Sequence, residues 1–219
     1  LNISGLQSRI GTTPDGKWGP NSSAALLAHF TNLAAPAVSP EDIAAYAARL
    51  GCKIKQLNAV AKVESAGGGF DKTGKPKILF ERHWFHRLTK GKWSVAPFSN
   101  PSPGGYGESS WRKLEAACAH DPDAAFSSVS WGKFQILGAH WSRLGYQSAY
   151  AMAWTSAQSE GDHYEMLVRY IEEFRLQKAL QALSDNPSDC VEFASRYNGP
   201  AFRVNRYDEK LAEAMQGDR

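Results

Sequence analysis

In IKQLNAVAKVESAGGGF, residues 54–70, a glutamate closes the apolar stripe of a short helical pattern. Leu57, Val60 and Ala61 recur three and four residues apart, and Glu64 continues the series. On such a face the charged carboxylate is desolvated, which raises its pKa. A carboxylic acid that stays protonated near neutral pH is what protonation of a leaving oxygen requires. A frayed, solvated helix end or an arginine partner would account for the same residue. Gly67, Gly68 and Gly69 follow at once, and glycines allow a sharp exit and close backbone approach. A phosphate-cradling loop would follow a strand, whereas these glycines follow a helix.

Glycosidases usually pair the acid with a second carboxylate facing it across the cleaved bond. Glu81 and Asp71 are the next acids along the chain, and a salt bridge to Arg82, Arg87 or Lys77 is the plainer account of either. His83 and His86 beside Glu81 lack the His-Glu-x-x-His spacing of a helical zinc site, so no metal is expected. Gln135, between Phe134 and Ile136, would be costly if buried without partners. It therefore either binds amide or hydroxyl groups in a groove or is a satisfied core amide. Ser130 fits the N-cap of a helix over 131–144. Tyr197 and Asn198 close a helix before Gly199, where a helix stop and the mouth of a site are both consistent readings. No Gly-x-Ser-x-Gly elbow is present, and Cys52 has no local partner that would mark it as a nucleophile.

The elements that must carry these groups are mostly helical. Residues 1–33 contain two short helices around the turn TPDGKWGP, too small to bury much alone and expected to pack on the main body. After the linker LAAPAVSP, Ser39-Pro40 starts a helix that Gly51 ends, and the Glu64 helix opens near Ile54. The span 67–107 is turn-rich, with one briefly extended piece at Ile78–Phe80 and the irregular loop APFSNPSPGGYG. Helices are expected at 110–119, 131–144, 147–157, 160–183, 187–196 and 205–215. No segment alternates long enough for a large sheet. The fold class is mostly α with a small irregular lobe.

Composition sets outer limits. The chain has 219 residues, 42% of them apolar, enough for a real core. A formal net charge of +3 is too mild to indicate nucleic acid and is compatible with an acidic polymer. Three widely spaced cysteines form neither a metal pattern nor a disulfide framework. No apolar run approaches the ~20 residues of a membrane span. The opening LNISGL has no initiator Met and lacks the basic leader and apolar core of a signal peptide.

Three blocks in order carry a family likeness. KVESAGGGFDKTGKPKILFERHWFHRLT (62–89), AFSSVSWGKFQILGAHW (125–141) and CVEFASRYNGPAFRVNRYDEKLAEA (190–214) resemble the N-acetylmuramidase domain of bacteriophage endolysins, over about residues 40–216. The family is similar in its helical core to lysozymes and lytic transglycosylases. Their Glu-Ser, Ser-x-Gly-x-x-Gln and Tyr-Asn motifs are matched here by Glu64-Ser65, by Ser130 and Gly132 with Gln135, and by Tyr197-Asn198. In the first thirty residues, Leu6-Gln7 and DGKWGPNSSAAL resemble part of a peptidoglycan-binding helical module.

The resemblance implies a lysozyme-like catalytic domain over 40–219, an appended segment at 1–33, and cleavage of the β-1,4 bond from N-acetylmuramic acid to N-acetylglucosamine. Glu64 would be the general acid and Glu81 the second acid, with Asp71 its rival. Ser130, Gln135, Tyr197 and Asn198 would bind substrate or hold Glu64, and Trp84, Phe98, Tyr106 or Trp131 would stack on sugars. It implies no cofactor, no metal and no nucleic acid. A monomer is expected, acting on glycan strands without stable membrane insertion. The protein would build up in the host cytoplasm and reach the wall through a holin-made lesion. Two other readings compete: a lytic transglycosylase leaving 1,6-anhydro ends, and a wall-binding protein without chemistry.

Overall fold

The structure, a computed structural model, describes residues 1–65 and 67–217. Two short helices, α1 (Ile3–Arg9) and α2 (Pro20–His29), come first, then α3 (Pro40–Leu50) and α4 (Ile54–Glu64). Strand β1 (Ile78–Phe80) and α5 (Arg82–Leu88) lead into the irregular lobe. Beyond it are α6 (Ser110–Cys118), α7 (Pro122–Ser127), β2 (Val129–Trp131) and β3 (Ile136–Leu137). The helical remainder is α8 (Ala149–Ser156), α9 (Glu160–Glu173), α10 (Gln177–Gln181), α11 (Pro187–Asn198) and α12 (Tyr207–Gln216).

The boundaries follow local chemistry. Ser39 and Asp42 close a reciprocal capping box on α3, Pro40 occupies its first turn, and Gly51 ends it at φ 65°. In α4, Leu57 and Val60 are fully buried and Ala61 nearly so, and the helix lies against α3, α10 and α12. The Glu64 helix therefore has the face its spacing predicts.

Residues 131–144 are not a helix. Ser130 lies mid-strand in β2, opposite Leu79 of β1 and Leu137 of β3, in a small antiparallel sheet of order β1-β2-β3. Gly132 at φ 70° and Gln135 at φ 50° turn the chain back on itself, which a right-handed helix cannot accommodate. Ser130 is thus no N-cap. The expected helix over 160–183 is also divided, because Arg175 at φ 54° separates α9 from α10. Helix α7, capped by Asp121, lies where no helix was expected.

The first thirty residues share the main core. Leu6, Leu26 and Phe30 are fully buried, and the Phe30 ring stacks at 5.8 Å on Trp131 and 5.9 Å on Phe126. Burying a side chain of that size contributes about 1.5–3 kcal/mol. Trp131 is only 1% exposed, so it is a core residue and cannot stack on a ligand.

Candidate active site

Glu64 ends α4, where α12 packs beside it and the end of α11 reaches it. The side chain is partly buried. Asn198, the last residue of α11, donates its Nδ2 to both carboxyl oxygens, at 2.9 Å to Oε1 and 3.1 Å to Oε2. Burial pushes the Glu64 carboxyl up to about 7, while the Asn198 amide and the Lys210 ammonium pull the other way. Asn198 Oδ1 is buried with no partner among the described residues. An orphaned buried acceptor is costly, and such local violations concentrate at functional sites. The two residues are 134 positions apart, yet α11 brings them into contact.

Glu81 caps the junction between β1 and α5 and is fastened by its backbone, whose N–H donates to the Ser128 carbonyl at 2.8 Å. The Tyr106 hydroxyl donates to Glu81 Oε2 at 2.9 Å, and His83 Nδ1 lies 3.3 Å from the same oxygen. Both neighbours address Oε2 of the carboxylate. The Glu81 side chain is 16% exposed, accessible without being fully solvated. Tyr106, expected to stack on a ligand ring, is half exposed and engages the carboxylate instead.

Asp71 is engaged within its own turn. Its Oδ1 accepts from the Thr73 N–H at 2.7 Å, the Thr73 hydroxyl at 2.6 Å and the Lys75 N–H at 3.2 Å. It is the acceptor that organises the 71–75 turn.

The remaining predicted residues make contacts of their own. Gln135 is exposed on the β2–β3 turn, donating Nε2 to the Gly132 carbonyl at 2.8 Å and weakly to that of Lys77 at 3.4 Å. Ser130 is buried within β2. The Tyr197 hydroxyl donates to the Phe134 carbonyl at 3.1 Å, so Tyr197 joins α11 to the hairpin. Trp84 carries the Arg87 guanidinium over its ring at 4.8 Å, and Phe98 packs edge-on against Phe85. Sequence reasoning missed the partners of Glu81, because a histidine two residues on and a tyrosine twenty-five residues on carry no distinguishing pattern.

The arrangement offers one carboxyl with a raised pKa, and a second held by a phenol. Each is a kind of group that acid-assisted cleavage with a stabilised cationic centre uses. The N-acetylmuramidase family model matches residues 53–217. The crystal structure of the Burkholderia AP3 phage endolysin matches with a TM-score of 0.74 at 30% identity, covering 98% of this chain and 83% of that one. A search of curated proteins finds no match.

Proposed function

The chain belongs to the N-acetylmuramidase family, and we propose that Glu64 is its general acid and Glu81 its second carboxylate. The activity is hydrolysis of the β-1,4 bond between N-acetylmuramic acid and N-acetylglucosamine in peptidoglycan. The observation that carries the assignment is the Glu64 carboxyl, buried at the end of α4 and held on both oxygens by Asn198. Glu64 gives its proton to the glycosidic oxygen. Positive charge then grows on the muramic sugar, and Glu81 stabilises it or activates the incoming water. Tyr106 keeps Glu81 oriented. Asn198 holds Glu64, Tyr197 sets the hairpin that presents Gln135 to the acetamido groups, and Ser130 backs that hairpin.

A second built carboxylate favours water over the substrate's own 6-hydroxyl as nucleophile. Mass spectrometry of fragments released from purified peptidoglycan should show reducing N-acetylmuramic ends. Anhydro ends throughout would reject hydrolysis.

The pH profile carries its own sign. The reaction uses the protonated acid, so kcat should fall as pH rises through about 7, where Glu64 loses its proton. Asn198 favours the carboxylate form. Asn198→Ala should therefore move the alkaline limb upward, by about one pH unit for a bond to a charged group. An unmoved or lowered limb in kcat measured against pH would contradict this role.

Residues 1–33 are read as a further wall contact. Buried Gln7 braces their turn, donating to Asp15 Oδ1 at 2.9 Å and the Lys17 carbonyl at 3.0 Å, which leaves Thr13, Lys17 and Asn21 outside. Among the described residues no helix is long and apolar enough to cross a membrane. The biological reading is a monomeric phage lysis enzyme that binds no nucleic acid, accumulates in the host cytoplasm and meets the wall after holin-dependent release.

A further inference from the structure

Three further side chains tie together the segments that leave Glu64 and lead into Glu81. Glu160, in the first turn of α9, accepts at Oε1 from Lys133 Nζ at 3.0 Å and from the Gly69 N–H at 3.2 Å. Lys133 Nζ also reaches the Gly67 carbonyl at 3.4 Å. The two charged side chains are only 12% and 16% exposed. Beneath them lies His163, 1% exposed, whose Nε2 bonds the Ser156 carbonyl at 2.7 Å. Its Nδ1 accepts the Lys133 N–H at 3.3 Å.

The two backbones close on this histidine from both sides. A Cβ at Gly69 would overlap the His163 ring, and one at Gly132 would lie 2.6 Å from His163 Cδ2. The Phe70 ring stacks on the imidazole at 5.0 Å. A backbone ladder completes the junction: Lys77 N–H donates to the Gly69 carbonyl and Gly132 N–H to the Lys77 carbonyl, each at 2.8 Å. The segment leaving Glu64, the segment entering β1 and Glu81, and the β2–β3 turn thus meet at one place.

We propose that Lys133 and Glu160, seated on His163, are positioning residues that set the spacing between the Glu64 and Glu81 carboxylates. The pair bridges the glycine strap at 67–69 to the hairpin turn, and the hairpin is in register with β1. Loosening the bridge lets the strap that follows Glu64 shift relative to the segment that leads into Glu81, and with it the end of α4 that holds Glu64. Misplacement of about 1 Å costs up to about a hundredfold in rate. Binding, which draws on the wider surface, is little affected.

The inference rests on the roles proposed for Glu64 and Glu81, so the experiment includes Glu64→Gln as a reference. kcat and KM are measured on soluble peptidoglycan fragments for Lys133→Met, Glu160→Gln and Lys133→Arg, with melting temperatures alongside. Lys133→Met and Glu160→Gln should lose at least about tenfold in kcat with KM within about twofold. Lys133→Arg keeps the ion pair and should recover most of the rate. If Lys133→Met does not fold, Glu160→Gln, which retains an acceptor for Gly69, carries the test. Two results overturn the proposal: kcat kept within about twofold, or a loss that matches the unfolded fraction. An active Glu64→Gln would overturn the underlying assignment instead.

Discussion

Glu64→Gln should lower peptidoglycan cleavage by at least about a thousandfold, within the range expected for a general acid at a poor leaving group. Glutamine has nearly the same shape and accepts the Asn198 Nδ2 bond through its oxygen, but it has no proton to give. The variant should also fold at least as well as the parent. The Glu64 pKa is raised from 4.5 to about 7. Above pH 4.5 the unfolded chain therefore ionises this group more readily than the folded one, and stability is lost as pH rises from there to about 7. A neutral amide removes that loss at pH 7. Two measurements separate chemistry from binding: turbidity clearing of purified walls, and co-sedimentation with them. Clearing should vanish while sedimentation persists. Clearing within about tenfold of the parent rate would rule out Glu64 as the acid.

Glu81→Gln should cost about a hundred- to a thousandfold in kcat, the scale of removing one preorganised group that answers developing charge. The amide still accepts from Tyr106, so the architecture around Oε2 survives while the negative charge is gone. Glu81→Ala opens space at the same place, and added azide should restore part of the turnover if Glu81 activates or substitutes for the incoming nucleophile. Asp71→Asn is the contrast. Asp71 organises the 71–75 turn, and its replacement should change kcat by less than about threefold, surface substitutions of this kind acting mainly on local stability. Equal losses at Asp71 and Glu81 would remove the distinction between them.

Parts of this design are local and could be read directly. The capping box at Ser39, the left-handed stop at Gly51 and the stripe Leu57, Val60, Ala61, Glu64 are properties of neighbours in sequence, and helices are built from bonds four residues apart. The hairpin at 129–137 is not local. Ser130 and Trp131 become a strand because Leu79 and Ile78 lie beside them, some fifty residues earlier in the chain. Intrinsic preference in such a stretch is weak against that pairing. The break at Arg175 likewise depends on a residue with no special preference for the left-handed region.

The residue types available for acid chemistry, the helix that ends in Glu64 and the order of the family blocks are all written along the chain. Which groups they meet depends on contacts across the fold. The fold gives Tyr106 to Glu81, gives Asn198 to Glu64, and joins the Tyr197 hydroxyl to the hairpin. The difference is one of range. A helix and its caps are set by bonds within one or two turns, whereas burial, and with it the raised pKa of Glu64, is set by helices that the chain reaches more than a hundred residues later.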